Sequence, residues 1–422
     1  MRDALATLIV KSLLAVVEDD AGHQRYRTLE TIRAYAVDRM AEHGERQALA
    51  SRHARYYCEL PKRLTAQYRF EFPRSVVTAL EPEIDNVREA LNWAFAEGDP
   101  QFAAEIAAWS GVAFWHVAAF AEAVRWCDRA LALQSSVPAA VEARLWLSLS
   151  DNLFNLGSMH RSLEAARNAA ALYKRSRDSE YQSAALNCVS HTLFQLGEIA
   201  EARAAAEKSV SIARSLADDL LIGRALRMAA ATSGPAVARE YMREAFARYR
   251  AAEQQSGLEV LLMAFAEACF ADGDVRTALF YGHEAVEVAA KNSHRARFAG
   301  ALNNVAAYSL ADRDVAGARE AARRALNTVR DIGESMNTMY ALQHAGTIFC
   351  RDGAADVGAR LLGASDRLYT GFGIVREFTE RTLYESTIAA LRESLGERAL
   401  QANLADGRAL TIEQAIELAL GA

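Results

Sequence analysis

A pattern recurs at a spacing of 40 residues in the middle of the chain, and it limits what the chain can fold into. Leu145, Trp146, Leu149, Leu153 and Leu156 lead to Gly157; Ala185, Leu186, Val189, Leu193 and Leu196 lead to Gly197. Steps of three, four or seven residues place each set on one helical stripe. An Ala-rich second helix follows each glycine. A hairpin of this size cannot bury its stripe alone and needs neighbours stacked on both sides.

The register extends over residues 101–378. Turns fall at Ala118, Gly157, Gly197, Gly234, Gly273, Arg313 and Gly353, separated by 39, 40, 37, 39, 40 and 40 residues. Seven residues before a turn stands Ser150, Ser190, Ala266, Ala306 or Gly346; five after it stands Ala123, Ser162, Ala202, Ala278, Ala318 or Gly358. Small residues at these points let helices approach closely. The pattern resembles tetratricopeptide repeats, with Trp146, Leu186, Leu262, Leu302 and Leu342 at the large position. The units run about six residues long, and the proline that commonly ends the second helix is missing. Longer second helices are expected. The unit at Gly234-Pro235 has Arg239 at a small position, so an irregular or kinked repeat is expected there.

The expected fold is all-α: a tetratricopeptide-like right-handed α-solenoid of helical hairpins with a ~40-residue period. Six prolines among 422 residues favour helix. Five cysteines, an odd number with no paired spacing, fit reduced thiols in a cytoplasm. The net charge of −6 gives no reason to expect nucleic acid or a membrane as a partner. Leu5–Val17 is broken by Lys11 and followed by Glu18-Asp19-Asp20, which argues against a signal peptide. The uncharged stretch 106–121 falls short of the ~20 residues a membrane span needs. A soluble cytoplasmic protein is expected.

Residues 1–40 depart from the repeats. A short helix carries Leu5, Leu8, Ile9, Leu13 and Leu14. Leu14–Glu18 reads as a strand, Asp19–Gln24 as a turn and Tyr26–Leu29 as a returning strand. This is the closing half of a winged-helix unit, a partial element with a two-stranded wing. Too small to fold alone, it must dock on the following helices, or its other half lies upstream of Met1. The unit carries six Lys/Arg and six Asp/Glu, which argues against direct DNA binding. Residues 41–100 read as connecting helices punctuated by Gly44 and Pro61, 101–378 as repeats, and 379–422 as C-terminal capping helices. Phe378–Leu395 and Thr411–Leu420 are the capping helices expected, with Thr411 and Gln414 forming a capping box.

Val10-Lys11-Ser12-Leu13-Leu14 followed by Tyr26 through Ala36 is similar to a junction in bacterial STAND-type ATPase regulators, which include large transcriptional activators of the LuxR and AfsR kinds. Glu83 through Ala94, followed by Gly98-Asp99, looks like the segment that opens the repeat region of that family. Gly363-Ala364-Ser365-Asp366 and Gly407-Arg408-Ala409-Leu410 resemble its C-terminal end. The resemblance implies a sensor that binds an effector and alters how an ATPase domain, encoded upstream, is held. The ATPase is not expected in this chain: a P-loop needs Gly-Lys, and that dipeptide does not occur.

No motif suggests an enzyme, a metal or a cofactor. Gly371-Phe372-Gly373 lacks the strand and third glycine of a dinucleotide loop. Cys188 and His191 lie one turn apart without a second ligand pair. All five tryptophans lie in the first third of the chain, at 93, 109, 115, 126 and 146. Trp109, Trp115, His116 and Trp126 form a candidate pocket for a ligand or partner at the mouth of the groove; the alternative is an ordinary aromatic core. The expected function is non-catalytic binding of a protein or peptide, with a small-molecule effector also open. A free-standing scaffold that binds peptides in its concave groove is the competing reading.

Overall fold

The computed structural model describes residues 2–18, 24–68, 73–133, 137–252, 257–292, 294–333 and 335–421. Helix α1 (Arg2–Val10) leads into strands β1 (Ala15–Glu18) and β2 (Gln24–Arg27). The strands pair antiparallel, Ala15 opposite Arg27 and Glu18 opposite Gln24. The turn expected between them falls on residues 19–23, outside the described residues. Then come α2 (Glu30–Glu42), α3 (Arg46–Tyr68), α4 (Arg74–Leu80), a 3-10 turn (Glu81–Glu83) and α5 (Ile84–Glu97). Pro61 does not punctuate: α3 runs through it. Leu60 and Pro61 are buried, so packing on both flanks outweighs one lost rung.

Hairpins follow in order: α6 (Pro100–His116) with α7 (Phe120–Leu131), α8 (Ala139–Asn155) with α9 (Met159–Ser176), α10 (Ser179–Gln195) with α11 (Ile199–Ser215), and α12 (Asp219–Ala231) with α13 (Pro235–Ala251). The stack continues with α14 (Leu258–Ala271) and α15 (Val275–Lys291), α16 (Arg295–Ala311) and α17 (Val315–Ile332), and α18 (Ser335–Arg351) and α19 (Ala355–Phe372). Helices α20 (Phe378–Leu395), α21 (Glu397–Ala409) and α22 (Ile412–Gly421) close it.

The turns are left-handed where the period places them. Gly157 has φ 74° and Gly197 φ 82°, while Ala118 and Arg313 adopt 57° and 64° without a glycine. A backward hydrogen bond seals each reversal: Ser158 N–H donates to the Leu153 carbonyl and Glu198 N–H to that of Leu193, both at 2.9 Å. Gly234 alone of these positions has φ −68°, as the N-cap of α13, and α12 stops after 13 residues. This is the irregular unit expected there. The second helices from α9 onward run 17 or 18 residues, longer for want of the missing proline.

The small residues lie where helices meet. Ser162 Oγ donates to the Ser150 carbonyl at 2.9 Å, and Ser190 Oγ to that of Ala202 at 2.8 Å. In the last hairpin a Cβ on Gly358 would sit 2.7 Å from the Gly346 carbonyl oxygen. First helices of successive hairpins also pack on one another: α8 on α10, α10 on α12, α14 on α16, α16 on α18. They therefore line the concave side of the coil.

At the C-terminal end, Thr411 and Gln414 form the expected reciprocal box, at 2.9 and 3.2 Å. Helix α21 was not expected. It lies backbone to backbone on α19, since a Cβ on Gly407 would stand 1.9 Å from the Arg360 carbonyl oxygen. Gly407→Ala should therefore cost about 1–3 kcal/mol by overpacking and lift α21 from α19. Faster amide exchange across residues 397–409, with residues 139–195 unchanged, is the expected readout; unchanged exchange would remove this account.

Candidate binding groove

The concave face is the natural place for a ligand, and the first helices point several polar side chains into it. Cys188 Sγ donates to Asp151 Oδ1 at 3.3 Å. The His191 ring lies on Phe154 at 4.2 Å. Asp151 keeps surface accessible to solvent, yet burial pushes its carboxyl up, against the charges of Arg224 and Arg144. His191 is pushed down to about 3, by burial first and then by the Arg227 charge. The imidazole is thus neutral at pH 7.

Among the described residues, two contacts carry the coil across its interior onto itself. The first joins the end of α6 to the start of α16. Trp115 meets the His294 ring edge-on at 6.3 Å, His116 stacks on His294 at 5.9 Å, and the Arg297 guanidinium lies 5.4 Å above Trp115. Behind them Glu259 of α14 is fully buried. Its carboxylate accepts from Arg297 at 2.6 Å and Asn292 at 3.0 Å, and pairs with His294 Nδ1 at 3.0 Å. Burial pushes this carboxyl up, but the hydrogen bond from His294 and the Arg297 charge outweigh it and hold it at about 2. His116 is pushed down to about 3, by burial first and then by His294 and Arg297 beside it.

The second contact is the link 373–377 between α19 and α20. Val375 N–H donates to the Gln195 carbonyl at the end of α10, at 3.0 Å. Gln195 Nε2 donates to Glu377 Oε1 at 2.9 Å, across 182 positions of sequence. Thr379 bonds Glu267 of α14, which also accepts from the Tyr308 hydroxyl at 2.9 Å. Burial pushes Glu377 up to about 8, with the Glu267 charge adding to it. Glu380 is held by Gln343 at 2.5 Å and His344 at 3.1 Å.

The four candidate pocket residues are thus distributed. Trp115 and His116 come together at the first self-contact. Trp109 lies along the groove with Arg144 4.4 Å above its ring, and Arg144 also reaches Tyr181 at 5.4 Å. Trp126 takes its partners from elsewhere, stacking on Phe95 of α5 at 5.3 Å beside Arg129. Sequence reasoning missed Glu259, His294, Arg297 and the 373–377 link. The signal for the last was an apolar run, Phe372-Gly373-Ile374-Val375, with no counterpart in the other repeats.

Trp115→Ala removes the ring beneath Arg297 and should loosen the first self-contact by about 1–2 kcal/mol. Amide exchange at residues 115–119 and 294–298 is expected to rise together. A rise at one site only would show that the contact does not couple them.

Comparison with known proteins agrees at both ends of this architecture. Residues 1–41 match the winged helix-turn-helix domain family. The chain joins a winged-helix segment to a tetratricopeptide-like coil. Proteins of Mycobacterium bovis and Mycobacterium tuberculosis described as HTH-type transcriptional regulators are 34% identical over 142 residues, 33% of this chain. The matched region spans only 16% of the length of these relatives. The fold is similar to that of a Rap protein crystallised with competence and sporulation factor. The TM-score is 0.53 at 10% identity, over 86% of this chain and 99% of that one. A STAND protein with a tetratricopeptide repeat sensor from Pyrococcus horikoshii aligns with a TM-score of 0.48 at 11% identity, over 96% of this chain and 57% of that one. No helix among the described residues is long and apolar enough to cross a membrane.

Proposed function

We propose that this chain is the sensor part of a winged-helix transcriptional regulator of the STAND type. A protein or peptide effector enters the coil, and the winged segment passes the change to an ATPase domain supplied by another part of the regulator. The observation that carries this reading is the apolar face of residues 1–41. Val10 is 84% exposed, Leu29 63% and Tyr35 65%. Helix α2 has no buried residue, and both faces of β1 are exposed. The segment is tied to the following helices by ion pairs of Arg25 with Glu83 and Arg33 with Glu89, at 2.7 and 3.3 Å. Ion pairs without apolar cover stabilise little, so this face calls for a partner surface.

Trp109, Trp115 and His116 are the residues we assign to the effector's path. The similarity to a Rap protein bound to competence and sporulation factor supports binding within such a coil. An effector acts by preferring one arrangement of the coil over another.

The genomic DNA upstream of Met1 tests the reading. A P-loop domain, in frame or in the adjacent gene, is expected. That domain, mixed with this chain, should slow amide exchange around Val10, Val16, Tyr26 and Tyr35. An unrelated neighbour and unchanged exchange would overturn it and leave a free-standing peptide scaffold.

A further inference from the structure

The link 373–377 is built unlike the others. Connections between successive hairpins range from 177–178 between α9 and α10 to 132–138 between α7 and α8. The 373–377 link differs in where it lies: it leaves the left-handed Gly373 and reaches an extended Glu377 against hairpins far away in sequence. It is seated on the turns of the second and third hairpins. A Cβ on Gly157 would fall 2.1 Å from the Phe372 ring, and one on Gly197 would fall 3.1 Å from Val375. Ile374 is buried in one cluster with Met159, the first residue of α9. The main chain is anchored at Gln195 through Val375 N–H, and the side chain of Gln195 reaches Glu377.

We propose that this seat is a peptide-binding site of the coil, occupied in the closed state by the chain's own residues 372–377. Its ligand class is an extended peptide. The peptide carries an aromatic residue for the Gly157 turn, an aliphatic one for the Gly197 turn, and an acceptor for Gln195 Nε2. Main-chain bonding to an exposed backbone group supplies affinity, and side-chain seats supply selectivity. The link is thus a strap, and a competing peptide frees the second and third hairpins from the last one. The inference rests on reading the coil as an effector site, but its test involves neither an effector nor an ATPase.

The probe is a fluorescent synthetic peptide with the sequence of residues 371–380. In Val375→Pro the strap loses its donor to Gln195; in Ile374→Ala it loses its buried side chain and keeps its backbone. Either variant should bind the peptide roughly ten-fold or more tightly than the unaltered chain, because the open fraction of the seat scales the apparent affinity. Gln195→Ala introduced into either variant should abolish that gain. Equal binding by unaltered and strap-loosened chains, binding indifferent to Gln195→Ala, or no binding to any of them would overturn the proposal. The Ile374→Ala chain carries the test if Val375→Pro loses its helical circular dichroism.

Discussion

Replacing Glu259 by alanine should destabilise the contact between α14 and α16 by about 3–5 kcal/mol, the usual cost of removing one partner from a buried ion pair. The carboxylate is fully buried, and Arg297, His294 and Asn292 all converge on it. Without it the Arg297 guanidinium faces Trp115 with no counter-charge from α14, and the first self-contact weakens as well. The acid limb of the stability curve provides a second estimate. The carboxyl stands at about 2 in the folded chain against an ordinary 4.5. Its stabilisation is therefore present above pH 4.5 and lost as pH falls towards 2, by about 3 kcal/mol. Stacked hairpins do not melt as one unit, so the measurement is amide exchange at residues 258–262 and 294–298. Glu259→Ala should speed exchange there at pH 7 and flatten its dependence on pH below 4.5. Glu259→Gln keeps the shape but not the charge and should lie between the two. Exchange equal to that of the unaltered chain would show that Arg297 and His294 find other partners at no cost.

The repeating part of this molecule was legible because its physics is local. Ser150 against Ser162 and Gly346 against Gly358 are contacts within one hairpin, fixed by the same spacing each time. The same spacing located left-handed turns at Ala118 and Arg313, where no glycine marks them. The period carries information only about nearest neighbours. It says nothing of Trp115 meeting His294, or of Gln195 meeting Glu377, because those contacts depend on how many hairpins complete a turn of the coil. The tryptophans illustrate the difference. Their grouping in sequence suggested one pocket, but Trp126 faces back to Phe95 while Trp115 faces across to Arg297. Pro61 misled for a related reason. A proline marks a break when its surroundings are open, and here they are buried. Helix α21 escaped notice because its close approach to α19 runs through one glycine on each helix, Gly407 and Gly363, which look like breakers in sequence and act as close-packing points.

Glu377→Gln should stabilise the strap most at alkaline pH and leave it unchanged near pH 4. Glu377 is faced by Gln195 of α10, Glu267 of α14, Tyr308 of α16, Tyr369 of α19 and Glu380 of α20. Its carboxyl is pushed from an ordinary 4.5 up to about 8, by burial first and then by Glu267 and Glu380. A raised carboxyl favours the folded state only while protonated. The contribution is fully present below pH 4.5 and is lost as pH rises from there through 8. A shift of this size corresponds to a few kcal/mol at most. Glutamine keeps the acceptor for Gln195 Nε2 and carries no charge at any pH, so the variant should lose most of that slope. Amide exchange of Val375 between pH 5 and 9, corrected for its intrinsic rate, measures it. The two chains should differ least at the acid end and diverge progressively as pH rises towards 8, with the variant the better protected. Parallel curves would mean that Glu377 is already ionised and compensated at neutral pH. The strap would then owe its hold to Phe372, Ile374 and the Val375 N–H alone. Glu259 titrates below pH 4.5 and Glu377 above it, so the two self-contacts of the coil can be opened separately by pH.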